Sequence, residues 1–350
     1  MTAFVVVFSV AFCLSLLLTP LAAKAGWRWG LLAIPDARRR HKGIMPQSGG
    51  LAMYAAFVVA LLLILRLPID WMPPMPEGPD PNEPTRLLGV VVGATFLVLA
   101  GIWDDRRKLS SRHQFLLHLI AALIAIAFLI FIEVVNNPLT DRQVWIRWPL
   151  PILITVFWIT GMISTVNFLD GLDGLAASVT AITAAVLTVH MVRENQYSVA
   201  LLPLALLGST LGFLPYNFYP ARIFMGSTGA YVLGYALGTL SILAGARVAT
   251  VLLVMGIPIL DVAWQIYSRW RRKHAVAEGD RGHLHFRLLA LGLSQRQIVA
   301  LYSLLTAGLG LMALLISSRL LKLATIVILG VIGIFVLAFL TRRAGERNDS

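Results

Sequence analysis

Residues 149–192 read PLPILITVFWITGMISTV, then NFLDGLD, then GLAASVTAITAAVLTVHMV. Two runs free of Asp, Glu, Lys and Arg, 149–166 and 174–192, flank a polar turn that carries Asn167, Asp170 and Asp173. Each run approaches or matches the length of about 17 to 25 residues with which an α-helix crosses the hydrocarbon layer. Lipid offers no water to satisfy backbone N–H and C=O groups, so an apolar run of this length must be helical. The stretch therefore reads as a hairpin of two membrane helices with its acids at the turn.

Working outward, the same alternation recurs at 3–23, 50–65, 87–102, 114–133, 199–214, 229–246, 248–267, 298–317 and 321–341. The chain of 350 residues is 58% hydrophobic and only 13% charged, whereas soluble domains carry about a quarter charged residues. Such a chain cannot cover itself with polar surface. The expected architecture is an all-α integral membrane protein, a polytopic bundle of about eleven transmembrane helices. With no fixed-period repeat and no soluble segment, residues 1–350 form a single membrane domain. Met1–Ala23 lacks the basic start of a secretory leader and has too long an apolar run, so it is read as the first span. Cys13, the only cysteine, lies in that span, which excludes an intramolecular disulfide.

The net charge is +12, but no soluble domain is present to hold a nucleic-acid surface, and the distribution of the charge points to the bilayer instead. Basic residues accumulate on the cytoplasmic side of membrane proteins. With eleven spans, one set of alternate segments, 24–49, 103–113, 167–173, 215–228, 268–297 and 342–350, holds 21 of the 29 Lys and Arg residues. That set is cytoplasmic, which places the amino terminus outside and the carboxyl terminus inside. The longest outside loop, 67–86, is proline-rich and acidic and reads as a connector.

Each cytoplasmic loop of the first nine spans carries a polar cluster. The first, PDARRRHKGIMPQSGG at 35–50, offers Arg38, His41 and Lys42 to phosphate oxygens or to an anionic lipid surface. In the second, GIWDDRRKLSSRHQ, the adjacent carboxylates of Asp104 and Asp105 repel each other unless a divalent cation, a phosphate proton or the following cations relieve them. The spacing of Asn167, Asp170 and Asp173 stacks the three along one helical face, and Gly171 and Gly174 permit close backbone approach. In YNFYPARIFMGSTG, Asn217, Arg222, Phe224 and Ser227 lead into an apolar helix, either as a seat for a planar base and a diphosphate at the helix start or as a structured connector. The fifth comprises Asp261, in PILD, and RGHLHFRLLALGLS, with His283, His285 and Arg287 placed to bind a metal, a phosphate or a sugar. No cysteine or nearby third histidine completes a structural zinc set.

Taken in order, PDARRRHKGIMPQSGG, DDRRKLSSRHQ, NFLDGLDGLA, NFYPARIFMG, PILD and HLHFRL resemble the polyprenyl-phosphate N-acetylhexosamine-1-phosphate transferases from about Pro35 to Ser294. The resemblance implies ten or eleven membrane helices in the bacterial cytoplasmic (inner) membrane. It implies a UDP-sugar donor, undecaprenyl phosphate as acceptor, Mg²⁺ with Mn²⁺ as an alternative, and release of UMP. The HLHFRL segment points to the branch that starts glycans such as O-antigen or teichoic acid with N-acetylglucosamine phosphate. The branch acting on UDP-MurNAc-pentapeptide, with three successive histidines there, is the alternative.

By this resemblance Asp104 and Asp105 activate the lipid phosphate and organise the metal region, and Asn167 contacts the metal. Asp170 and Asp173 complete the catalytic acids and, with Asn217 and Phe224, position the uridine diphosphate. Arg38, His41 and Lys42 contact phosphate, while His283, His285 and Arg287 read the sugar. Three positions depart from the pattern: Ser227 replaces the metal-holding aspartate of FMGD, Ser164 replaces an asparagine, and Phe286 replaces a second adjacent histidine. Rival readings are a family member that has lost turnover, a transporter, and, for assembly, a homodimer rather than a monomer. A transporter would place its ionisable residues near the bilayer midplane, whereas these acids collect at one interface.

Overall fold

The computed structural model describes residues 1–34, 43–72, 81–140, 142–244, 248–271 and 282–346. Its helices are α1 (Thr2–Trp29), α2 (Gly49–Ile64), α3 (Glu83–Arg107), α4 (Ser111–Ala127), α5 (Leu150–Leu169), α6 (Leu175–Arg193) and α7 (Tyr197–Asn217). They continue with α8 (Gly226–Leu243), α9 (Val248–Val254), α10 (Gly256–Arg271), α11 (Leu284–Ala290), α12 (Gln295–Leu315) and α13 (Arg319–Glu346). A single 3-10 turn (Ile69–Trp71) and two short antiparallel ribbons complete the described elements, β1 (Leu32–Ala33) with β2 (Met45–Pro46) and β3 (Val134–Asn136) with β4 (Gln143–Trp145).

The expected spans lie largely on helices, and the chain is a multi-pass membrane protein with seven candidate crossings among the described residues, or eight if the bent pair α9 and α10 is one span, fewer than the eleven expected. Seven helices are long and apolar enough to cross a membrane unaided: α1, α3, α5, α6, α7, α12 and α13 up to Ala338. The expected straight span 248–267 is corrected, because α9 and α10 meet at a bend of 80°. Gly256 and Pro258 explain the break, glycine by lowering helix stability and proline by lacking the N–H that would bond back to Val254. The fourth span also ends early, at Ala127, where Leu129 turns to φ 60.

The centre of the bundle is α8, in which every residue from Thr228 to Ile242 is buried. Helices α2, α3 and α5 pack directly on it, with α6, α7 and α9 completing the surround. Apolar attraction does not drive helices together in lipid, so packing density must, and small residues let backbones touch. A Cβ on Gly50 of α2 would lie 2.2 Å from Gly229 N, and one on Gly101 of α3 would lie 2.4 Å from Thr228 Cα. The sequence GSTLG at 208–212 does the same for α7: a Cβ on Gly208 or Gly212 would meet the carbonyl oxygens of Phe8 and Phe12 on α1 at 2.7 and 2.3 Å. At the periphery α13 packs on α10 and leaves an apolar face open, including Val331 and Phe335.

Candidate active site

The described parts of all five polar clusters meet at one end of this bundle, the first, second and fourth around the first turn of α8, the third packed on the fourth and the fifth on the third. The chain after β2 runs beside the segment that precedes α8. Phe224 N–H donates to Pro46 O at 2.9 Å, Gly49 N–H to Phe224 O at 2.9 Å and Gly50 N–H to Met225 O at 3.0 Å. PQSGG and IFMG are thus two sides of one backbone-bonded strip, which the absence of side chains at Gly49 and Gly50 makes close enough to form. Ser48 fastens the strip to α1 by donating to Ala22 O at 2.7 Å. Residues 35–42, with Arg38, His41 and Lys42, lie outside the described residues.

Asp104 and Asp105 lie in the last turn of α3, at the end of the third span as expected, and α3 ends beyond them at Lys108, which turns left-handed at φ 49. Successive helical residues point about 100° apart, so the two carboxylates face different neighbours. Asp104 is buried, and its oxygens accept from Leu109 N–H at 2.9 Å, from the Gln114 amide at 3.1 and 3.2 Å and from the Tyr231 hydroxyl at 2.8 Å. Asp105 accepts from Ser227 N–H at 2.9 Å, Thr228 N–H at 3.3 Å and Thr228 Oγ1 at 3.1 Å. It caps α8 from another helix, supplying the negative charge that a helix start favours. The expectation that the start of α8 is open to a diphosphate is corrected accordingly, because a protein carboxylate already takes those N–H groups. Gly226, at φ 69, brings the turn against this carboxylate; a Cβ there would lie 2.6 Å from Asp105 Oδ2.

The third cluster is also rearranged. The helical ladder expected of Asn167, Asp170 and Asp173 does not form, because α5 stops at Leu169 and the chain turns at Gly174, with φ 79, to start α6. Asp173 instead accepts from Ala221 N–H at 3.0 Å in the fourth cluster. Asn217, the last residue of α7, is buried and bridges both loops, accepting from Gly174 N–H at 3.1 Å and donating to Ile223 O at 3.0 Å. Its amide fits a scaffold role at the base of the Phe224 loop. Replacing Asn217 with alanine orphans a buried N–H and a buried C=O, and is expected to cost about 1–3 kcal/mol. A fall in melting temperature, with turnover partly retained in the folded fraction, is the expected observation.

The fifth cluster packs on the third. Asp261 of α10 accepts from Leu284 N–H at 2.9 Å, capping α11, and its other oxygen lies 3.0 Å from His283 Nδ1. The His283 ring stacks on Phe168 and on His285, with centroids at 5.0 and 5.7 Å. His285 lies over Gly171, where a Cβ would be 2.4 Å from its Nε2. The GLDG glycine therefore seats this histidine. Burial, then the neighbouring His283, push the His285 imidazole down to about 3, with Asp261 acting in the opposite direction. It is neutral near pH 7, and neither ring nitrogen has a hydrogen-bond partner among the described residues. Both histidines are buried, unlike residues of an open loop. Arg287 reaches Leu337 O of α13 at 3.4 Å.

Among the described residues no group of three or more His, Cys, Asp or Glu side chains could hold a metal ion. Asp104 and Asp105 are committed to protein donors, and Ser227 offers only a neutral hydroxyl beside Tyr231. A closed protein cage for Mg²⁺ does not fit these residues. A cation carried mainly by substrate phosphates does fit, since Mg²⁺ is commonly held by one or two protein oxygens plus phosphates. Asn167 and Asp170, half-buried at the end of α5, are the side chains suited to it. Gln114 closes the second motif without any local sign that it holds a carboxylate, and Tyr231, in apolar surroundings along the chain, gives none either; the GSTLG spacing was available as a helix-packing signal.

Comparison with known proteins gives a match to the description Glycosyl transferase family 4 over residues 87–245, which include the second, third and fourth clusters. A probable undecaprenyl-phosphate N-acetylglucosaminyl 1-phosphate transferase of Bacillus subtilis (strain 168) is 31% identical over 333 residues, covering 93% of this chain and 88% of the relative. The decaprenyl-phosphate N-acetylglucosaminephosphotransferase of Mycolicibacterium smegmatis is 33% identical over 78% of this chain and 72% of its own. A phospho-N-acetylmuramoyl-pentapeptide-transferase of Geobacillus kaustophilus is 30% identical over 88% and 97%.

Proposed function

The chain belongs to glycosyl transferase family 4, and on that footing we propose that it transfers N-acetylglucosamine 1-phosphate from a UDP-sugar to undecaprenyl phosphate, releasing UMP and starting a cell-envelope glycan. The observation that carries the reading is the gathering of clusters two to five, with Gln47 to Gly50 of the first, at one end of a membrane bundle. A water-soluble diphosphate and a lipid phosphate can both reach only such an end.

In the proposed reaction an oxygen of the lipid phosphate forms a bond to the β-phosphorus as the bond from that phosphorus to the bridging oxygen breaks. UMP leaves with the electron pair. Mg²⁺, when bound, supplies charge neutralisation on the diphosphate, with Asn167 and Asp170 as its protein contacts. The chain's own part is to orient and to stabilise charge. Phe224 and Asp173 line the nucleotide side. Arg38, His41, Lys42 and Arg222 supply positive charge for phosphates, and the His283–Arg287 segment faces the sugar. The hydrogen bonds already accepted by Asp104 and Asp105 weaken both as nucleophiles, which favours direct transfer over an aspartyl-phosphate intermediate.

The same reading includes eleven crossings of the bacterial cytoplasmic membrane, with the site and the carboxyl terminus inside. The sharing of one end by the clusters agrees with the asymmetry of the basic residues. The short helices α2 and α4, at about 1.5 Å per residue, cross with local thinning of the bilayer. Monomer and homodimer are separated by mass measurement in nanodiscs.

Incubating the purified protein with undecaprenyl phosphate, labelled UDP-N-acetylglucosamine and Mg²⁺ is expected to give UMP and labelled lipid in equal amounts. Product only from UDP-MurNAc-pentapeptide would move the chain to the other branch. No product with any UDP-HexNAc, together with turnover gained in Ser227→Asp, would identify a member that has lost catalysis.

A further inference from the structure

Tyr231 belongs to none of the five polar clusters and is fully buried, yet its hydroxyl touches the acidic pair. It donates to Asp104 Oδ2 at 2.8 Å and lies beside the Ser227 hydroxyl. Its ring is held edge-on by His118 at 4.6 Å, and His118 Nδ1 is 3.3 Å from Ser164 Oγ. The two serines that depart from the family pattern, Ser164 and Ser227, therefore both adjoin one aromatic pair. One turn along α8, Tyr235 donates to Gly89 O at 2.9 Å and fills the space left by Gly93. These two tyrosines and the Gly101–Thr228 contact hold α3 and α8 together, and the last anchor before the site is Tyr231 on Asp104.

A buried carboxylate without a cation must be hydrogen-bonded to stay in place. Among the described residues Asp104 has three donors, of which only Tyr231 comes from α8. Its neighbour Asp105 caps the first turn of the same helix, so the two contacts brace one short backbone segment from both sides. A shift of Asp104 would carry Asp105 with it. We propose that Tyr231 is a positioning residue of the transfer site, acting through Asp104 to keep Asp105 aligned on Ser227 and Thr228. Serine at 227 belongs with this arrangement, because an aspartate there would crowd a third carboxylate onto a hydroxyl that already serves Asp104. The proposal rests on the transferase reading above.

The test compares wild type, Tyr231→Phe, Asp104→Asn and the double variant, each purified in nanodiscs and assayed below its melting temperature. Tyr231→Phe is expected to lower kcat at least tenfold while leaving KM for UDP-N-acetylglucosamine within twofold. The double variant is expected to be no slower than Asp104→Asn, and the melting temperatures are to show the same non-additivity. A merely structural tyrosine would lower the melting temperature and leave kcat within twofold, which overturns the proposal. So does a double variant whose loss is the product of the two single losses. Absence of turnover in the wild type overturns the transferase reading itself and withdraws the role with it.

Discussion

Replacing Asp105 with alanine is expected to lower UMP release by about 10²- to 10³-fold, the size of effect seen when a preorganised electrostatic contact is removed from a transfer site. Its carboxylate gathers the N–H groups of Ser227 and Thr228 and the Thr228 hydroxyl at the start of α8. Alanine leaves all three donors without their partner and removes the negative charge from a helix start. The loss of the cap alone is worth about 0.5–2 kcal/mol, which appears as a lower melting temperature. Asp105→Asn tests charge separately: it retains one acceptor but turns an NH₂ toward donors, so most of the activity should still be lost. Initial rates with labelled UDP-N-acetylglucosamine check both. Turnover that persists in an Asp104→Ala, Asp105→Ala double variant would overturn the catalytic assignment.

The second large effect concerns no polar side chain. Gly50→Val should prevent recovery of folded protein, because a Cβ at 50 lies 2.2 Å from Gly229 N, 2.5 Å from Gly229 Cα and 2.8 Å from Met225 O. These are backbone atoms, and a rotamer change cannot move them. Pushing α2 off α8 also parts the hydrogen bonds from Gly49 and Gly50 to Phe224 and Met225, so the strip beside the site opens as the helices separate. Overpacking a core costs about 1–3 kcal/mol even where side chains can adjust; here the expected cost is above that range. Size-exclusion chromatography of a fluorescent fusion reads the loss directly. Gly161→Val, where a Cβ meets nothing within 4 Å, is the control and should behave as wild type.

Particular residues show how far the chain could be read before its fold was known. The apolar runs around NFLDGLD are local, and so is the rule that turns them into helices; α5 and α6 appear where the hydrophobic pattern puts them. The 80° bend at Met255 was less legible, since Gly256 and Pro258 weaken a helix without saying which way it turns. The charge asymmetry assigned the clusters to one side, and their shared end of the bundle agrees with it. The helical ladder Asn167–Asp170–Asp173 was misread because the same spacing fits a helical face and a helix end, and Gly174 at φ 79 decides for the end.

By itself, then, the sequence determined that this chain is a many-helix membrane protein of a recognisable transferase pattern, because hydropathy, basic-residue bias and motif order are properties of neighbouring residues. Tertiary structure alone decided which polar groups remain for a substrate. Asp105 and Ser227 are 122 positions apart and Asp104 and Tyr231 127. Only the approach of α3 to α8, permitted by Gly101 against Thr228, converts two mutually repelling carboxylates into a helix cap and a buried anchor. A hydrogen bond depends on where its partner lies in space, which no stretch of sequence around either residue contains.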